Sequence, residues 1–199
     1  MFKKLVIASS NAGKIREMGG LLRDFDFELA LKPPELDIEE TGKTFMENAI
    51  LKASYIATTL KQWSIADDSG LMVNALNGQP GIYSARYGKT DFDRINRLLT
   101  ELKNNTNRQA QFVCAIAIAN PEGEVVIQTE GICEGEILTQ VRGESGFGYD
   151  PIFFVPEFKQ TFAEMPPDLK QKVSHRGKAF ANLIPLINHL FDRNIFDRK

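Results

Sequence analysis

The stretch Gln111-Phe112-Val113-Cys114-Ala115-Ile116-Ala117-Ile118-Ala119, then Asn120-Pro121-Glu122-Gly123, then Val125-Val126-Ile127-Gln128-Thr129-Glu130-Gly131, decides the fold class. Two strand-like runs flank a turn of Asn, Pro and Gly, so they read as an antiparallel hairpin. Elsewhere the chain intermixes strand and helix patterns. Upstream, Lys4–Ala8 is a short apolar strand, and Ile15, Met18, Leu21, Leu22 and Phe25 recur at the helical period after it. A second helix is expected over Lys43–Leu60, with Phe45, Ala49, Ile50, Ala53, Ala57 and Leu60 turned inward. A hairpin inside such an order predicts an α/β fold whose sheet is mixed rather than purely parallel.

Working outward, Trp63–Ala66 reads as a short buried strand that empties into Asp67-Asp68-Ser69-Gly70. Residues 74–90 are rich in Gly, Asn and Tyr and read as a long loop. Thr90 with Asp93 opens a third helix in the manner of a capping box. Downstream of the hairpin, a glycine cluster from Gly143 to Gly148 precedes the apolar run Ile152–Val155. A last helix follows Ser174-His175-Arg176-Gly177, and Pro185 is expected to kink or interrupt it.

The chain of 199 residues is long enough for one sizeable domain or two lobes sharing a core. A net charge of −2, with Lys and Arg dispersed, excludes tight binding to a nucleic-acid backbone but not to one small anion. No apolar run approaches the roughly 20 residues of a membrane helix. Met1-Phe2-Lys3-Lys4 ahead of Leu5–Ala8 faintly resembles a secretory leader, but polar Ser9-Ser10-Asn11 ends the run at once. A cytoplasmic protein is therefore expected. Cys114 and Cys133 have no metal-ligand spacing and read as reduced thiols.

Four segments can carry chemistry. Ser9-Ser10-Asn11-Ala12-Gly13-Lys14 joins a strand to a helix start, where small residues, free N–H groups and a cation suit a phosphate. A simple capped turn fits the same residues. It is not a P-loop, because Ala8 and Ile15 stand where that pattern needs Gly and Ser or Thr. Asp67-Asp68-Ser69-Gly70 places two carboxylates side by side; they suit a hard divalent cation, or a solvated turn. Glu39, Glu40, Glu47 and Lys52 lie in neighbouring segments. In Gly146-Phe147-Gly148-Tyr149-Asp150-Pro151, Phe147 is either a platform for a base or a plug for the core, and Asp150 suits a metal or a basic partner. In Lys170–Gly177, His175 and Arg176 suit a ligand, or a helix cap with an exposed basic pair.

In this order the segments resemble the inosine triphosphate pyrophosphatase family. The matching pieces are Ser9-x-Asn11-x-x-Lys14, Glu40-Thr41-Gly42 with Phe45-x-Glu47-Asn48-Ala49-x-x-Lys52-Ala53, and Ala66-Asp67-Asp68-Ser69-Gly70-Leu71. Pro80-Gly81-Ile82-Tyr83-Ser84-Ala85-Arg86-Tyr87, Gly146–Phe153 and Ser174-His175-Arg176-Gly177 complete the set. The resemblance implies a two-lobed α/β fold spanning residues 1–199, with an elongated mixed sheet, an active-site cleft between the lobes, and a homodimer. It implies Mg²⁺-dependent hydrolysis of ITP, dITP and XTP to the monophosphate and pyrophosphate. By resemblance, Asp68 is proton acceptor and metal ligand, with Glu40 or Glu39 completing the metal site. Ser9, Ser10, Asn11, Ala12, Gly13 and Lys14 would hold phosphates, with Lys14 and Lys52 sharing the charge. Ser69, Phe147, Gly148, Tyr149, Asp150, Lys170, His175 and Arg176 would line the nucleotide pocket. One departure stands out: Ser10 occupies a position where relatives often carry glycine, which matters if that backbone needs a positive φ.

Overall fold

A computed structural model describes residues 3–23 and 25–192 of the chain; Met1 and Phe2, read above as part of a possible leader, lie outside them. The hairpin forms as expected. β4 (Gln109–Ala119) and β5 (Val125–Ile137) pair antiparallel through the turn at Asn120, whose side chain accepts the N–H groups of Glu122 and Glu124. Six residues at the end of β5 exceed the expected length: the ladder runs on past Gly131 until Glu136 faces Gln109. Gly131 is not a strand end. It is the point where helix α5 (His175–Asp192) lies against the strand, and an added Cβ would come within 2.3 Å of the His175 carbonyl oxygen.

β1 (Lys3–Ile7) pairs in parallel with both β2 (Phe27–Leu31) and β3 (Trp63–Val73). Short antiparallel strands β6 (Phe153–Val155) and β7 (Gln160–Thr161) close the far side, giving one seven-stranded sheet in the order β2-β1-β3-β4-β5-β6-β7. The sheet is mixed, as the hairpin required. β2 was not anticipated, because its half-buried edge residues lack a clean alternation.

Alternation along β4 builds a core on each face. Cys114, Ile116 and Ile118 pack with Met18 and Leu22 of α1 (Ala12–Leu22) and with Phe180, Leu183 and Ile187 of α5. On the other face, Val113, Ala115, Ala117 and Ala119 meet Ala49, Ala53 and Ala57 of α2 (Phe45–Leu60), small residues on both surfaces. A third cluster joins Leu98 and Leu102, in and just after α3 (Asp91–Glu101), to Phe112, Phe153 and Phe162. α3 carries the expected Thr90–Asp93 capping box. The loop at 74–90 contains two short 3-10 turns, the second over Gly81–Arg86.

A further short helix, α4 (Pro167–Val173), precedes α5 and starts with Pro at a position that needs no N–H donor. Of the two outcomes expected at Pro185, a kink or an interruption, interruption does not occur: α5 runs through it. Both Pro185 and Ala181, whose carbonyl loses its donor, are exposed, so water can satisfy the freed group. Among the described residues no helix is long and apolar enough to cross a membrane.

Candidate active site

β1 ends at Ile7, where the Ala8 N–H bonds to the Ile65 carbonyl, while β3 continues beside it to Val73. Asp67, Asp68 and Ser69 therefore project past the end of β1, next to the turn that leads into α1. The sequence reading ended β3 at Ala66, because Asp, Ser and Gly favour turns. The strand instead persists, with Asp67 opposite Ile116 and Asp68 opposite Ala115. Pairing with β4 overrides local preference.

This extension separates the two carboxylates. Successive side chains of a strand point to opposite faces. Asp67 faces α1 and α5, where it meets Arg176 Nη2 at 2.9 Å, Lys14 Nζ at 3.3 Å and the Ser69 hydroxyl at 3.1 Å. Asp68 faces α2, where Lys52 Nζ lies 2.9 Å from Oδ1 and Asn48 Nδ2 lies 3.2 Å from Oδ2. Burial would raise the Asp67 carboxyl, but Lys14 and Arg176 hold it far below the ordinary carboxylate range. For Asp68 burial prevails over Lys52 and Lys14, and its carboxyl is raised. The two aspartates thus share no cation between them by direct contact.

On the α2 face, Lys52 also donates to Glu40 Oε1 at 2.8 Å, and Arg86 bonds to the other oxygen of Glu40. Asn48 accepts the Gly42 N–H at 2.8 Å while donating to Asp68, tying the loop that carries Glu40 to β3. Glu40 is half-buried and Glu39 is exposed.

In the turn before α1, Asn11 caps the helix by accepting the Lys14 N–H at 3.1 Å, and the Ser9 hydroxyl accepts the Asn11 N–H at 3.2 Å. Ala12 and Gly13 form the first turn of α1. Ser10 is exposed and has no positive φ; among the described non-glycine residues only Lys61, Asn77 and Lys159 have one. The missing glycine there imposes no strain.

A second charged cluster adjoins the first through Arg176. Lys170 Nζ bridges Glu17 at 2.8 Å and Asp150 at 2.7 Å, and Arg176 pairs with the other Glu17 oxygen. Asp150 also accepts the Phe147 N–H at 2.8 Å, so it orients a basic side chain and the loop. Lys170 sits 5.1 Å above the Phe147 ring, whose atoms would lie 2.6–2.8 Å from a Cβ on Gly13. Only glycine lets that ring approach the start of α1 so closely. Gly148 donates its N–H to Asp91 at 2.7 Å, and the buried Tyr149 commits its hydroxyl to the Ser84 carbonyl. His175 is buried and stacks on Phe112 at 4.6 Å; burial, then the charges of Arg176 and Lys170, keep it well below the usual histidine range and neutral. Arg176 is buried as well, its Nη2 also 2.8 Å from the Ser69 hydroxyl.

A cavity of about 300 Å³ opens between Gly13, Glu17, Phe147, Lys170 and Arg176. A smaller one of about 70 Å³ adjoins it beside Lys14, Ser69 and His175. Of the residues singled out in the sequence, Lys14, Ser69, Phe147, Asp150, His175 and Arg176 line the smaller cavity, whereas Glu39 and Glu40 line a separate hollow and Glu40 reaches Asp68 through Lys52. Sequence reasoning missed Glu17, which holds both Lys170 and Arg176, and gave no role to Arg86 or to the pairing of Asp67. Nothing local distinguishes Glu17 from the neighbouring charges of an amphipathic helix.

The chain is similar to known proteins over nearly its whole length. A family model described as the Ham1 family matches residues 5–186. A dITP/XTP pyrophosphatase of Nostoc sp. is 64% identical over 185 residues, covering 93% of this chain and 94% of that protein. One from Synechocystis sp. is 57% identical, covering 90% and 93%. Among solved structures, the Ham1 protein of Staphylococcus aureus superposes with a TM-score of 0.85 at 45% identity, covering 94% of this chain and 100% of that one. With a match from the first buried strand to the last helix, and relatives of such identity over nearly their whole length, the chain belongs to the Ham1 family.

Proposed function

We propose that this chain hydrolyses deaminated purine nucleoside triphosphates (ITP, dITP and XTP) to the monophosphate and pyrophosphate, with Mg²⁺ as cofactor, removing them from the cytoplasmic pool before they enter DNA or RNA. The observation that carries the reading is the convergence of Glu40 and Asp68, from separate segments, on one ammonium beside the turn before α1. Two carboxylates gathered on a single positive charge fit a hard divalent ion, which takes one or two carboxylates and completes its shell with phosphate oxygens and water. Glu40, rather than exposed Glu39, is the upstream acid in this reading.

Glu40 and Asp68 would hold the ion, which when bound screens the triphosphate and stabilises charge on the departing pyrophosphate. Lys14 and the free N–H groups at the start of α1 bind phosphate oxygens, and Lys52 shares the load. Asp68 orients the attacking water and accepts its proton. Selection rests on the base. Hypoxanthine and xanthine offer an O6 acceptor where adenine offers a donor. Lys170 and Arg176, held by Glu17, Asp150 and Asp67, are preorganised donors to which an O6 acceptor can bond and an adenine amino group cannot. Phe147 supplies a face for stacking. Neutral His175 contributes through its place beside the smaller cavity. The chain acts as a homodimer in this reading, which a solution mass measurement checks.

Pyrophosphate release from ITP, dITP, XTP, ATP and GTP, with Mg²⁺ and with EDTA, tests the reading. Release confined mainly to the first three, and lost with EDTA, is the expected result. Release from modified pyrimidine nucleotides alone would reassign the substrate class, and tight ITP binding without release would make the chain a binding module.

A further inference from the structure

Lys52 occupies the place between the two carboxylates assigned to the cation, 2.8 Å from Glu40 and 2.9 Å from Asp68. The remaining oxygens are also engaged, Asp68 Oδ2 by Asn48 and the second Glu40 oxygen by Arg86. Protein cations thus neutralise these carboxylates. Counted through Arg176, five cations (Lys14, Lys52, Arg86, Lys170, Arg176) stand against five carboxylates (Glu17, Glu40, Asp67, Asp68, Asp150). A dication added alone would leave this half-enclosed cluster with excess positive charge, and would have to take oxygens that Lys52 already holds.

We infer that Lys52 is the resident counter-ion of the metal site, competing with the divalent cation for Glu40 and Asp68 and released to the triphosphate as that cation binds. The inference rests on the metal reading above. Lys52 is suited to the exchange, because its ammonium is a point charge on a flexible four-carbon stem. Glu40 lies on a loop outside the regular elements, and Arg86 beyond it is 54% exposed, so the solvent side of the chain of charges can open. A triphosphate offers the displaced ammonium new anionic partners. Metal and nucleotide should then strengthen each other's binding, by reciprocal factors.

Mn²⁺ as the metal probe, titrated by electron paramagnetic resonance into the full chain, reads this directly. The titrations use wild type, Lys52→Gln and Lys52→Met, each alone and with an α,β-methylene analogue of ITP. Without nucleotide, Lys52→Gln should bind Mn²⁺ about tenfold more tightly than wild type, although its turnover falls. With the analogue, wild-type affinity should rise about tenfold or more, and the variant's much less, within the usual span of such couplings. Thermal melts should show a larger Mn²⁺-induced gain for the variants. Lys52→Gln keeps a donor between the carboxylates, so it decides the question if Lys52→Met fails to fold. Equal or weaker Mn²⁺ binding by Lys52→Gln overturns the inference, and so does wild-type affinity that ignores the nucleotide. Absence of Mn²⁺ binding by wild type both with and without the nucleotide removes the metal reading itself.

Discussion

Asp67 and Asp68 are neighbours in the chain, yet their replacement by asparagine should have opposite consequences. Asp67→Asn keeps shape and removes charge from a fully buried carboxylate, leaving Arg176, with 2% of its side chain exposed, short of one partner. Breaking a buried pair from one side costs about 3–5 kcal/mol. Glu17 still holds Arg176, and Lys14 is partly open to water, so the loss belongs at the lower end of that range. In a chain of this size each kcal/mol moves the melting temperature by roughly 2–4 °C, so Tm should fall on the order of 10 °C. Asp68→Asn should behave differently. Its carboxylate is held at a raised pKa, so removing the charge relieves burial, while Lys52 keeps Glu40. Stability should change little, and turnover of ITP should vanish with nucleotide binding largely retained. Calorimetry and pyrophosphate release on both variants form the assay. Equal losses of Tm, or a native Tm for Asp67→Asn, would refute the assignment of the two side chains to opposite faces with separate partners.

Gly131→Ala should destabilise the chain by about 1–3 kcal/mol through overpacking, because the new Cβ meets backbone of α5 at Ala179 and His175. A wild-type melt would contradict that contact. His175 is neutral when folded, while the unfolded chain takes up a proton below about pH 6.5, so its contribution is complete above that pH and declines beneath it. The slope is at most about 1.4 kcal/mol per pH unit, and His175→Phe should flatten it in urea unfolding at pH 5–7; an unchanged slope assigns the acid loss elsewhere. Burial pushes the Cys114 thiol to about 12 and the Cys133 thiol to about 11. Both should resist a thiol reagent at pH 8 in the native protein and react in urea, whereas rapid native labelling of either would show an opening that the buried positions exclude.

Local signals made much of this molecule legible. The hairpin at Asn120–Gly123, the capping box at Thr90 and the helical period of Phe45–Leu60 each depend on residues a few positions apart, and each appears where expected. The mixed sheet followed from them. So did the turn before α1, whose small residues and Lys14 lie together at a helix start. Where local preference competed with long-range pairing, the reading stopped short. Asp67-Asp68-Ser69-Gly70 looked like a turn and is strand, and Gly131 looked like an end and is the contact point of a helix.

By itself, the sequence determined the main helices and the central strands (though not β2, β7 or α4), the apolar faces, and which charged residues were available for chemistry, because periodicity and turn chemistry are properties of neighbours. Only the tertiary structure decided which charges meet. Glu17 and Arg176 are 159 positions apart and share a bond, Lys52 reaches both Glu40 and Asp68, and Asp67 turns away from the residue beside it. Those pairings depend on how β3 outruns β1 and on how closely α5 lies on β5, geometry that exists only once the sheet has formed.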